Sequence, residues 1–134
     1  MERIDNPEVV VETVEITNQV VITRNEIESI IVNGIEGGIR YWCYHIEENL
    51  KDGTYIREGK PNQTPLSVWV TKLTLDGKEV GFFDGEETKY LSLENLVSSF
   101  KYHITNGRAD LEDYDSGDAD YIIQRALYGS VVFG

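Results

Sequence analysis

The chain has 134 residues, with 12 Lys+Arg against 24 Asp+Glu for a net charge of −12, 40% apolar residues and a single Cys. This length fits one domain, with core enough to fold without a disulfide or metal staple. The charge argues against a protein that grips nucleic acid by its phosphates, which needs a basic face, and the apolar runs fall far short of the roughly 18 residues needed to cross a bilayer.

Met1–Pro7 has no apolar core of the kind a secretory leader carries. One domain is expected over 1–134, with disorder allowed at 1–7 and a long loop at 49–65. Val9 to Ile22 is rich in β-branched residues broken by Thr17-Asn18-Gln19. It reads as two short strands with a turn near Asn18-Gln19, or as one strand with a bulge. Thr23-Arg24-Asn25-Glu26 fits a capping box, and Ile27, Ile30, Ile31 and Ile35 follow at helical spacing. Gly34 begins the end of that helix and Gly37-Gly38 stops it.

Ile39 to Ile46 holds three aromatics and reads as a strand that leaves the glycine pair for the core. Asn49 to Pro65 is the long polar connection. Leu66 to Leu75 has strand composition, and Asp76-Gly77 is a hairpin signal that returns the chain through Glu79–Phe83. Asp84-Gly85 makes a second turn into a strand at Thr88–Leu91. Ser92 caps a helix whose stripe is Leu93, Leu96, Val97, Phe100 and Ile104, ended by Asn106-Gly107. A polar stretch from Arg108 to Asp120 precedes a short helix from about Ala119 to Tyr128, closed by Gly129. Val131-Val132-Phe133 can add a last strand. Hairpins interleaved with helices predict an α+β fold, mainly antiparallel sheet with two to three helices packed on it.

Few residues invite chemistry. Cys43 and His45, two apart on a strand, would share a side. A thiol nucleophile also needs a base in contact and an oxyanion hole, and the flanking Trp42, Tyr44 and Ile46 read as packing positions. Cys43, His45 and His103 are the only Cys and His residues, so the usual four-ligand zinc site is absent. A mixed site with carboxylates stays open, and His103 is expected on a solvated helix face. Asp110 to Asp120 holds six carboxylates and no base. Aligned from Asp113 on a calcium loop, it puts Gly117, Asp118 and Gln124 where carboxylate, Gly and Glu are wanted. A solvated acidic segment and a partner-facing surface are the other readings. Gly34-Ile35-Glu36-Gly37-Gly38 runs from helix to strand, the reverse of a phosphate loop, and reads as a tight turn. No cofactor is expected.

Two stretches carry a resemblance. Gly34-Ile35-Glu36-Gly37-Gly38-Ile39-Arg40-Tyr41-Trp42-Cys43 is similar to an A-L-E-G-G-I-x-Y-W segment. Asp118-Ala119-Asp120-Tyr121-Ile122-Ile123-Gln124-Arg125-Ala126-Leu127-Tyr128-Gly129, with the residues to Gly134, is similar to a D-A-D-x-I-x-Q-x-A-L-F-G terminus. Both segments occur in small, uncharacterised phage and prophage proteins; Gly34 replaces Ala and Tyr128 replaces Phe. The resemblance implies a phage origin and a host-cytoplasm location, and no catalytic residues.

Size, acidity and this resemblance lead to a non-enzymatic phage accessory protein that binds a host protein, in one version an anti-CRISPR or anti-restriction inhibitor. Its partner would be a basic nucleic-acid-binding protein, with no direct nucleic acid or membrane contact. The expected contact residues are Asp110, Glu112, Asp113, Tyr114, Asp115, Asp118 and Asp120. An oligomerising structural, assembly or replication protein, pairing through strand edges or Val131-Val132-Phe133, is the alternative. A third reading is an enzyme or small-ligand binder built on the Asn49–Pro65 loop and the Cys43/His45 side.

Overall fold

The structure is a computed structural model and describes residues 4–14, 20–106 and 115–134. Strand β1 (Val10–Val14) pairs antiparallel with β2 (Val20–Thr23), with a register shift between Val10 and Glu12. These are the two expected strands, and the expected turn lies outside the described residues. Helix α1 (Arg24–Asn33) follows directly. Thr23 stands at its cap in extended conformation, but its side chain makes no capping hydrogen bond. The main chain replaces the expected capping box: the amides of Arg24 and Asn25 donate to the carbonyls of Val9 and Pro7, each at 3.0 Å. Orphan helix donors need an acceptor, and the incoming chain supplies it. Ile4, inside the stretch allowed to be disordered, is buried, and its amide donates to the buried Glu28 carboxylate at 3.2 Å.

At Gly34 the helix widens into one π-helical turn, Gly34–Gly38, closed by Ile39 N–H donating to the Gly34 carbonyl at 3.0 Å. The expected strand from Ile39 does not form at once. The chain coils again, with Cys43 N–H on the Ile39 carbonyl at 2.8 Å, and only His45–Ile46 (β3) pairs in a sheet. Ile39 and Trp42 are both buried while Arg40 and Tyr41 are exposed. Residues three apart share a side on a helical turn and oppose each other on a strand, so burying both selects the turn.

The largest departure from the sequence reading is Leu66–Leu75, which is helix α2 and not a strand. Asp76 has φ −80° and Gly77 φ 88°, whereas the hairpin turn needs both positive. Gly77 N–H donates to the Thr74 carbonyl at 3.1 Å and Lys78 N–H to that of Leu73 at 2.9 Å, the paired bonds of a glycine-terminated helix. Strand β4 (Val80–Phe83) then pairs antiparallel with β3 on one side and with β5 (Thr88–Leu91) on the other, so the sheet order is β3-β4-β5. The Asp84-Gly85 turn joins β4 to β5 as expected, with Gly85 at φ 98°.

Helix α3 (Leu93–Thr105) starts at Ser92, whose Oγ accepts from Asn95 N–H at 3.1 Å. Its expected stripe points inward, with Leu96, Phe100 and Ile104 buried and Leu93 and Val97 partly so. Helix α4 (Ser116–Tyr128) begins three residues before the expected start. Asp115 and Asp118 form its capping box, and Gly129 ends it at φ 80°. No strand follows. Phe133 instead stacks on Trp42 at 5.1 Å. The fold is α+β: the described residues form four α-helices and two small antiparallel sheets around a core that joins Ile27, Ile30, Val70, Phe82, Phe100 and Ile123.

Candidate functional site

The two stretches that carry the resemblance meet in space. The Asp120 carboxylate, on the inner side of α4, is 3% exposed. Its Oδ1 accepts from Trp42 Nε1–H at 2.6 Å and from Gln124 Nε2–H at 2.9 Å, and its Oδ2 accepts from Tyr41 O–H at 2.6 Å. Gln124, itself buried, turns its amide oxygen to the main chain, accepting from Val132 and Phe133 N–H at 2.9 and 2.8 Å. Each polar atom has a partner, so burial here is not costly. Burial first, and then the Asp120 hydrogen bond, push the Tyr41 hydroxyl up to about 12. The glycines permit this approach: at Gly38 a Cβ would overlap the Ser116 carbonyl, so only glycine lets the π turn touch α4. This cluster is a clasp that ties the π turn, α4 and residues 132–133 together.

Asp120 was expected on a contact surface and is instead buried in this clasp. Asp115 and Asp118 stand at the N-terminus of α4, where their carboxylates accept each other's main-chain N–H at 2.9 and 3.3 Å. Asp110, Glu112, Asp113 and Tyr114 lie outside the described residues. His103 is not solvated as expected: its side chain is 12% exposed, and Nε2 lies 3.3 Å from Asp118 Oδ1. Helix α3 turns His103 toward α4 because Phe100 and Ile104, its neighbours on the inner side, are packed there.

Cys43 and His45 do not form a thiol–imidazole pair. Cys43 Sγ donates to the His45 carbonyl at 3.5 Å, and burial pushes the thiol up to about 11, away from the thiolate a nucleophile needs. The His45 ring instead meets Glu47 Oε1 at 2.9 Å, while Glu47 Oε2 accepts from Thr88 O–H at 2.7 Å. The Thr88 hydroxyl first, and His45 after it, hold the Glu47 carboxyl below its usual range. His45, Glu47, Glu48, Arg57 and Tyr90 border an open depression of about 750 Å³ that Cys43 does not line. A smaller cavity of about 560 Å³ lies between the Ile4–Asn6 segment and α2, with Arg24, Trp69 and Lys72 in its wall. Among the described residues no group of three or more His, Cys, Asp or Glu could hold a metal ion, and no helix is long and apolar enough to cross a membrane.

The sequence reading missed one feature, an exposed aromatic group on β3 and β4. Tyr44 is 74% exposed and meets Phe83 edge-on at 6.2 Å, and the His45 ring stacks on Phe83 at 4.9 Å. Strand alternation would set Tyr44 opposite His45, and only the entry of the chain into β3 at His45 brings both rings to Phe83. No family model, curated protein or solved structure matches this chain.

Proposed function

We propose that this chain is a non-enzymatic accessory protein of phage origin that binds a host protein through its acidic exterior, with a basic nucleic-acid-handling protein as the partner its charge suits best. One observation carries the reading: how the surface charge is distributed. Among the described residues only Glu28 and Asp120 are buried carboxylates, so the remaining acidic side chains reach water. The lysines are largely neutralised in place: Lys51, Lys72, Lys78, Lys89 and Lys101 each lie within 4.0 Å of a carboxylate. A net charge of −12, with these five lysines already beside carboxylates, leaves a negative field that attracts a basic surface and repels phosphate. The phage origin rests on the resemblance of the two segments of the clasp, and inhibition of a nuclease-bearing defence complex is the specific form that an acidic competitor for a phosphate-binding cleft would take.

The test is capture of partners by the tagged protein from host cells, followed by association kinetics with the captured protein across a salt series. A basic nucleic-acid-binding partner, whose association slows steeply with salt, is the expected result. Neutralising Asp110, Glu112, Asp113 and Asp115 together should slow association and flatten that dependence. A partner whose association rate is indifferent to salt would end this reading.

A further inference from the structure

The β3-β4-β5 sheet buries one face, where Val80, Phe82 and Leu91 enter the core, while His45, paired with Phe83, and the neighbouring Tyr44 are exposed. Main-chain contacts hold this aromatic group in place. Tyr44 N–H donates to the Phe83 carbonyl at 2.8 Å. The Tyr44 ring lies against Gly85, where a Cβ would stand 3.1 Å from the ring. The turn beneath it is locked, since Asp84 accepts from the amides of Glu86 and Glu87 at 2.8 and 2.9 Å. Phe83 at the centre is thus flanked by two exposed rings that lose little freedom on binding. A carboxylate stands beside them: Glu47, whose Oε1 lies 2.9 Å from His45 Nε2.

From this we infer that the Tyr44–Phe83–His45 face seats an arginine or lysine side chain of the basic protein partner, the cation lying on an aromatic ring with Glu47 beside it. The inference rests on the proposed function and names where on the acidic exterior the contact is made. A cation is drawn to the face of an aromatic ring, and tyrosine and arginine dominate the centres of protein interfaces. Charge selects among occupants. A second copy would bring its own net charge of −12 to a rim of like sign, and nucleic acid would bring phosphates to it.

The experiment titrates the isotopically labelled full chain with a hexa-arginine peptide and follows backbone amide shifts. The largest shifts are expected at residues 43–47 and 82–88. Tyr44→Ala should weaken binding about threefold to tenfold, while Tyr44→Phe, which keeps the ring, binds like the parent. Tyr44 is exposed, so unchanged core resonances will confirm that both variants are folded. Unaltered affinity in Tyr44→Ala, or shifts centred on residues 110–120, overturns this assignment and leaves the acidic-exterior reading standing. Failure of the peptide to bind anywhere overturns both. Concentration-dependent dimerisation lost in Tyr44→Ala would give the face to a second copy and also overturn the inference.

Discussion

Replacing Gly34 with Ala sets two opposing effects on one methyl group. Gly34 has φ −65° and ψ −58°, ordinary right-handed helical values, so alanine suits the backbone. By helix propensity and reduced freedom of the unfolded chain the change should stabilise by about 1 kcal/mol. The space says otherwise. A Cβ at 34 would overlap Ile123 Cδ1, although Ile123 Cγ1 at 3.7 Å and Ile39 Cγ2 at 3.8 Å would be ordinary contacts. One methyl of one side chain is therefore the whole obstruction. Ile123 is 0% exposed and cannot swing away into water. Forcing an extra methyl into such a core costs about 1–3 kcal/mol, which leaves Gly34→Ala between neutral and about 2 kcal/mol destabilised. Ile123→Val removes the offending Cδ1 and alone should cost about 0.5–1.5 kcal/mol. In the double variant the new methyl fills the space the old one left, so its stability should return to within about 0.5 kcal/mol of the parent. Urea unfolding followed by the fluorescence of the buried Trp42 and Trp69, with unchanged denaturant dependence, measures all four corners of the cycle. Single effects that add to within about 0.5 kcal/mol, or a Gly34→Ala variant that gains its full propensity increment, would refute this account of the α1–α4 contact.

The clasp makes a second prediction: Asp120→Ala strands the Trp42 indole N–H and should cost about 2–4 kcal/mol, whereas Asp120→Asn keeps an oxygen for Trp42 and Gln124 and should cost about half as much, read from the same unfolding curves. Alkaline pH gives a third. The folded chain holds the Tyr41 proton more tightly than the unfolded chain, so its contribution is fully present below pH about 10 and is lost as pH rises toward about 12. The Tyr41 ring is 57% exposed and solvent screening keeps the effect small, so the check is a shallower alkaline fall in the unfolding midpoint for Tyr41→Phe. Tyr128, raised first by burial and then by its hydrogen bond to Asp84, titrates in the same direction and should keep that fall from vanishing. Cys43, pushed from 9.0 to about 11, should be alkylated at neutral pH about a hundredfold more slowly than an unstructured cysteine peptide; equal rates would return a thiolate to the site.

How much could be read beforehand depended on whether an element keeps a solvent side. Helix α3 was legible to its cap because Leu96, Phe100 and Ile104 are buried while Glu94, Asn95 and Ser98 are exposed, and the stripe shows the period. Helix α2 lacks that contrast. Ser67, Val68, Trp69, Val70, Thr71, Leu73 and Thr74 are all buried, so no stripe survives and the β-branched composition suggests a strand. Its polar residues solve their burial locally, with the hydroxyls of Thr71 and Thr74 donating to the carbonyls of Ser67 and Val70 at 3.0 and 2.8 Å. Those bonds need the helix to exist first, so composition cannot announce them. Asp76-Gly77 was ambiguous for a related reason: glycine at positive φ ends a helix as readily as it turns a hairpin, and only the conformation of Asp76 decides.

In the sequence, Gly37-Gly38 reads as a tight turn and Trp42 as a packing position, while Asp120 is expected on a contact surface. The distances move Asp120 to the fold: it and Gln124 join Tyr41, Trp42 and residues 132–133 through buried, fully partnered bonds. A pattern that answers only to itself leaves no atom for a ligand. Chains that share these segments should therefore share the way α4 locks onto the π turn, and need not share a partner. Tyr44, Phe83 and Gly85 fall outside both segments, and the link between this face and the clasp runs through Asp84, which accepts from Tyr128 O–H at 2.7 Å. If Tyr44 and Glu86 were both replaced by Ala with Asp84 kept, the unfolding midpoint should shift little while any binding that depends on Tyr44 disappears. A large loss of stability in that variant would show that the aromatic face supports the fold, and the division drawn between the two parts of the molecule would be wrong.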